Sequence, residues 1–101
     1  MKVVYLSSSE ERVEIALQGE LNTVAAQQFA IDIEPIMDEA HKEIVVDFSM
    51  LEFISSAGMR SLLVLNKAAK EKGGKVVITG ASEDIKQIFG LTGFDALFEM
   101  K

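Results

Sequence analysis

Val45-Val46-Asp47-Phe48-Ser49-Met50-Leu51-Glu52-Phe53-Ile54-Ser55-Ser56-Ala57-Gly58-Met59-Arg60-Ser61-Leu62-Leu63 decides how this chain folds. Ile44-Val45-Val46 has no polar alternation, the pattern of a central strand covered on both faces, and the strand is expected to end at Asp47 and a turn. Two serines and a small residue then lead into a helix from Ala57 to Glu71, with Met59, Leu62, Leu63 and Asn66 toward the core. A hydroxyl at a helix N-terminus lies beside backbone N–H groups that lack intrahelical partners, at the positive end of the macrodipole. A phosphate is well tolerated there. Ser56 is therefore the candidate switch residue.

Upstream, Met1 to Leu6 reads as a strand and Ser7 to Glu11 as a polar turn. From Arg12 to Gln18, Val13, Ile15 and Leu17 alternate with Glu14, Ala16 and Gln18, the period of a half-buried strand. So short a connection favours an antiparallel pair. Gly19-Glu20-Leu21-Asn22-Thr23 starts a helix, with Asn22 or Thr23 as its cap, and Phe29, Ile33, Ile36, Met37 and Ala40 fall on one face. Pro35 removes a donor and crowds the preceding turn, so a kink or break is expected between Ile31 and Pro35.

Downstream, Lys72-Gly73-Gly74 closes the central helix, and Lys75 to Thr79 forms another apolar strand. Ser82 caps a short helix through Phe89. Beyond Gly90 to Gly93, Leu97 and Phe98 lie in a last, weaker strand. The order β-β-α-β-α-β-α-β predicts an α/β fold: a mixed sheet covered by helices, with an antiparallel opening hairpin and the remaining strands largely parallel through right-handed crossovers. Sites in such folds gather where strands end and helices begin. Asn22, Asp47 and Ser55-Ser56 are expected to share one end of the molecule.

At 101 residues, 49% hydrophobic and 26% charged, the chain has the size and composition of one globular domain, residues 1-101. Its net charge of -6 argues against nucleic acid and anionic membranes as partners, since both demand clustered cations. The absence of cysteine excludes disulfides, thiolate catalysis and thiolate metal sites. No long apolar run or leader pattern occurs, and a cytoplasmic protein is expected. Phosphate-loop, dinucleotide and zinc-binding motifs are missing, and the single histidine, His41, sits in a helix-to-strand connection far from the serines. No enzyme activity and no cofactor are expected. A hydrolase or nucleotide-binding protein using the rim of Asn22, Asp47 and Ser56 would lack a positioned base and metal ligands.

Serine is a preferred N-cap, so the pair has an ordinary structural reading. Two features point further. One serine suffices as a cap, which leaves the second hydroxyl available, and Ala57-Gly58 allow another backbone to approach. Arg60 and Val64 follow Ser56 at four-residue steps, so the three line one helix face and read as a docking surface, although Arg60 is also the kind of residue that simply faces solvent.

The run from Asp47 to Met59, preceded by Gly19-Glu20-Leu21-Asn22 and followed by Gly73-Gly74-Lys75-Val76-Val77-Ile78, resembles the STAS domain of bacterial anti-sigma factor antagonists. The resemblance spans nearly the whole chain. In that family an Asp-Ser-Ser-Gly or Asp-Ser-Thr-Gly turn carries a phosphorylated serine directly after the acid. Laid over Ser55-Ser56-Ala57-Gly58, it puts the phosphoacceptor on Ser56. Ser55 stands where the family has that acid, and Asn22 where the Asp of Gly-Glu-Leu-Asp is common. Both changes remove a negative charge and keep a capping side chain.

What the resemblance implies is a partner switch. The unphosphorylated protein would bind an anti-sigma factor with serine kinase activity through Asn22, Thr23, Ser55, Ala57, Gly58, Arg60 and Val64, releasing a sigma factor. Phosphorylation of Ser56 would end binding, and a serine phosphatase would reset it. ATP and magnesium would belong to the kinase. The alternative is a constitutive STAS adaptor docking to an ATPase or scaffold of a lipid-transport or stress-sensing assembly without phosphorylation.

Overall fold

In the computed structural model, which describes residues 1–101, strands β1 (Lys2–Ser8), β2 (Arg12–Leu21), β3 (Glu43–Ile54), β4 (Lys75–Thr79) and β5 (Glu99–Met100) form one sheet in the order β1-β2-β3-β4-β5. β1 runs antiparallel to β2, and every later pairing is parallel. The expected mixed α/β sheet is therefore the observed one. Helices α1 (Thr23–Asp32) and α2 (Glu34–Met37), then α3 (Ser56–Lys72), then α4 (Glu83–Thr92) with a 3-10 turn at Phe94–Ala96 connect the parallel strands. These three crossovers all step in the same direction along the sheet, and crossovers of one hand then place their helices on one face.

Burial agrees with that placement. Ile15 and Leu17 of β2, Ile44, Val46 and Phe48 of β3, and Ile78 of β4 share one apolar cluster with Phe29, Ile36, Leu62, Leu65, Ile85 and Phe89 of the helices. Val45 and Val77 are also buried, yet they stand on the other face and outside that cluster. The uninterrupted apolar run of β3 was expected to mean cover on both faces, and it is buried on both, but the helices cover only one.

Pro35 breaks the first crossover as expected: α1 stops at Asp32 and α2 restarts at Glu34 with the proline in its first turn, where a missing N–H costs nothing. Several boundaries differ from expectation. Gly19, Glu20 and Leu21, expected to start a helix, continue β2 because they pair with β3, and α1 begins only at Thr23. Ser7 and Ser8 extend β1, so the turn shrinks to Ser9–Glu11, where the Ser9 hydroxyl accepts from the Arg12 amide at 3.1 Å. α4 runs through Gly90 to Thr92 and ends at Gly93, which adopts the left-handed conformation. The last strand is Glu99–Met100 and not Leu97-Phe98, because Leu97 closes the 3-10 turn and Phe98 is buried against Phe89, ring centres 6.0 Å apart.

β3 departs most. It continues past Asp47 to Ile54, paired with the ten-residue β2 across two register shifts. Asp47 marks the end of its neighbour β4, whose last residue Thr79 lies opposite it, and its carboxylate accepts from the Ser49 amide at 2.8 Å. Ile54 lies seven positions beyond Asp47, roughly 23 Å of extended chain. Asp47 therefore does not share the end of the molecule that holds Asn22 and the serines.

Candidate functional site

At the C-terminal ends of β2 and β3, Leu21 pairs with Ile54, and the Ser55 amide donates to the Leu21 carbonyl at 2.8 Å. The two strands therefore release their chains side by side into two helices. Asn22 caps α1, its side-chain oxygen accepting from the Ala25 amide at 2.8 Å. Ser55 caps α3, its hydroxyl accepting from the Gly58 amide at 3.1 Å. Of the two candidates for the first cap, Asn22 takes the role, and Thr23 begins the helix, exposed.

This division of labour sets Ser56 apart. It is the first residue of α3, exposed, and its hydroxyl makes no hydrogen bond within the protein, whereas Ser61 returns its own to the Ala57 carbonyl at 3.2 Å. A group added to Ser56 would meet solvent and the free N–H groups of the helix start. Chemically the arrangement offers a free hydroxyl at the positive end of a 17-residue helix and no base beside it. His41 lies beyond the opposite ends of the strands, in a polar cleft with Glu10, Glu11 and Gly74. No cluster of three or more His, Cys, Asp or Glu side chains is placed to hold a metal ion.

Gly58 holds the two helix starts together. A Cβ there would stand 2.6 Å from Leu21 Cγ and 3.1 Å from the Leu21 carbonyl oxygen. The close approach expected of Ala57-Gly58 is thus made inside the molecule, by the buried end of β2. Along α3, Met59, Leu62, Leu65 and Ala69 are buried, while Arg60 is exposed and Val64 is 56% exposed. Ser56, Arg60 and Val64 do form one outward stripe.

The structure therefore brings Asn22, Thr23, Ser55, Ser56, Ala57 and Gly58 to one end, with Arg60 and Val64 leading away along α3. Two exposed apolar residues at this end escaped the sequence reading: Val24 on the first turn of α1, 76% exposed, and Phe53, paired with Glu20 near the end of β3, 43% exposed. Val24 was detectable as an apolar residue out of phase with Phe29 and Ile33. Phe53 was not, because the register shifts of β3 hide which face it takes.

Over 82 residues the chain is 29% identical to BtrV of Bordetella bronchiseptica, assigned as an anti-sigma factor antagonist, an alignment covering 81% of this chain and 71% of BtrV. Among solved structures, it superposes on an anti-sigma-factor antagonist STAS domain protein of Planctomyces limnophilus with a TM-score of 0.86 at 17% identity, covering 98% of this chain and 87% of that one. It superposes on the anti-sigma factor antagonist SpoIIAA of Bacillus in its unphosphorylated form with a TM-score of 0.75 at 21% identity, covering 99% and 87%. The phosphorylated form of SpoIIAA gives 0.74. A related fold occurs in the STAS domain of a SulP transporter from Vibrio cholerae, with a TM-score of 0.65 at 22% identity over 91% and 70% of the two chains. The model of the STAS domain matches residues 6–101, nearly the full length of the sheet and all its helices, and the chain belongs to the STAS domain family.

Proposed function

We propose that this protein is an anti-sigma factor antagonist whose unphosphorylated form binds an anti-sigma factor with serine kinase activity, and that phosphorylation of Ser56 switches binding off. The observation that carries the reading is the division between the two serines: Ser55 is committed to capping α3, and Ser56, exposed at its first position, has a hydroxyl with no other task. The similarity to BtrV supports the class of partner. A phosphoserine adds about -1.5 to -2 charges at neutral pH. Set beside Asn22, Thr23, Ala57, Arg60 and Val64, that charge falls on the docking surface itself, which the buried Gly58 supports from beneath by packing on Leu21. The protein performs no chemistry in this scheme; the kinase supplies ATP and magnesium, and a serine phosphatase restores the hydroxyl.

A constitutive adaptor is the second reading, favoured by Ser55 and Asn22, neutral residues where the family resemblance places acids. One experiment separates them. The protein is incubated with its kinase and ATP, and phosphate is mapped by mass spectrometry. Phosphate on Ser56, lost in Ser56→Ala, supports the switch. Phosphate mainly on Ser55, Ser49 or Ser61, or a partner that binds the protein yet never phosphorylates it in the presence of ATP, overturns it.

A further inference from the structure

A groove of about 630 Å3 runs beside the C-terminal half of α3, between Leu63, Lys67 and Lys70 of the helix and Leu97 after the 3-10 turn. Its walls are fixed. The buried Asn66 side chain donates to the Leu97 carbonyl at 2.9 Å, tying the 3-10 segment to the helix. Leu97 is nevertheless 39% exposed and Leu63 half-buried, so the floor is apolar and open. The rim is basic. Lys67 and Lys70 form no ion pair, while Arg12, Lys42, Lys75 and Lys86 all do. In a chain of net charge -6, α3 carries Arg60, Lys67, Lys70 and Lys72 against the single acid Glu71, which shares the groove rim. The molecule is an acidic body with one basic helix.

We propose that this groove docks an acidic amphipathic helix of a partner protein. Leu63, Lys67 and Lys70 recur at helical spacing over about 10 Å, which presents a ridge that a second helix can straddle. The partner's apolar stripe would cover Leu63, Leu97 and the lysine stems, and its carboxylates would meet the ammonium groups of Lys67 and Lys70. Walls already held by Asn66 keep the ordering cost of docking low. An anionic membrane is the poorer fit, since two lysines oppose the repulsion of a net negative body. The groove is separated from Ser56 along the helix and not around it: Lys67 lies on the same side of α3, eleven residues and about 16 Å further along the axis, beyond the reach of a screened charge at Ser56.

The test uses a synthetic amphipathic helical peptide of about 15 residues with leucines on one face and glutamates beside them, and a counterpart with every glutamate replaced by lysine. Titrated into the isotope-labelled protein, the acidic peptide should shift the amides of Leu63, Lys67, Lys70 and Leu97, and the lysine peptide should not. Lys67→Glu with Lys70→Glu should weaken binding at least about tenfold, whereas Ser56→Asp should leave it within about twofold, so that failure here and failure of the Ser56 switch are told apart. The proposal is overturned by an absence of shifts at about 1 mM peptide, by equal binding of the lysine peptide, or by shifts centred on Ser56. Binding of anionic vesicles in place of the acidic peptide, or coverage of the groove by a second copy of the chain, would likewise overturn it.

Discussion

Two adjacent serines do different work because one backbone turn has room for one cap. Ser55 satisfies the Gly58 amide, so Ser55→Ala should lower unfolding free energy by about 0.5–2 kcal/mol in urea denaturation while leaving the Ser56 hydroxyl in place. Ser56→Ala, which breaks no hydrogen bond, should leave stability nearly unchanged. This division was legible in the sequence, since a cap needs a single oxygen. The reason for Gly58 was not. It lies in Leu21, thirty-seven positions away, whose side chain is fully buried and whose carbonyl is held by the Ser55 amide, so neither can retreat from an added methyl. Gly58→Ala should therefore cost about 1–3 kcal/mol, the range for overpacking a filled site, read as a lower urea midpoint at unchanged slope. A midpoint equal to that of the parent protein would show that the helix start can shift away from β2.

Among the elements, the helices were legible because caps and spacing are local: Asn22, Ser55 and Ser82 each cap the helix expected to follow them, and Pro35 breaks the first crossover. β3 was not, because Ser49, Met50 and Glu52 lack strand alternation, and what keeps the chain extended there is pairing with the long β2, distant in sequence. The ending of β4 at Thr79 leaves Asp47 looking like a strand end from one side only. α3 links fold to docking, since the spacing that buries Met59, Leu62 and Leu65 turns Arg60 and Val64 outward. If that outward stripe meets the anti-sigma partner, Arg60→Glu should weaken binding by about 1–3 kcal/mol in calorimetric titration while the thermal midpoint stays put, because Arg60 makes no hydrogen bond or ion pair in the free protein. Unchanged affinity would place the interface elsewhere.

Across the whole molecule, charge is arranged in a row at the far end of the sheet. Arg12 of β2 meets Glu43 of β3 at 3.3 Å, Lys75 of β4 reaches Glu43 at 3.9 Å, and Lys75 meets Glu99 of β5 at 3.1 Å. The hydrogen bond and charge of Lys75 hold the Glu99 carboxyl below its ordinary 4.5, and the same contact raises the Lys75 ammonium above its ordinary 10.5. A lowered carboxyl stabilises the fold above its unfolded value and loses that contribution as pH falls through the folded one. The raised ammonium does so below its unfolded value and loses it as pH rises. The pair should therefore act fully between about pH 4.5 and 10.5, and Glu99→Gln should flatten both limbs of the stability profile by a small amount, both groups being exposed. The proposed switch lies at the other end and should be as local as this row. Ser56 stands where free N–H groups and the macrodipole favour an anion by about 0.3–2 kcal/mol, so a phosphate there has no reason to leave and the helix none to unwind. Gly58 packed on Leu21 and the Ser55 bond to β2 fix the helix start to the sheet, so added charge is borne without repacking. Ser56→Asp should accordingly lower affinity for the anti-sigma partner and leave the melting temperature equal or higher. Backbone amide shifts of the phosphorylated and unphosphorylated protein should differ at Asn22–Ala25 and Ile54–Arg60 alone. Shifts spreading to β4 and the Arg12–Glu43–Lys75–Glu99 row would show that the phosphate moves the sheet, and would replace local repulsion with an allosteric switch.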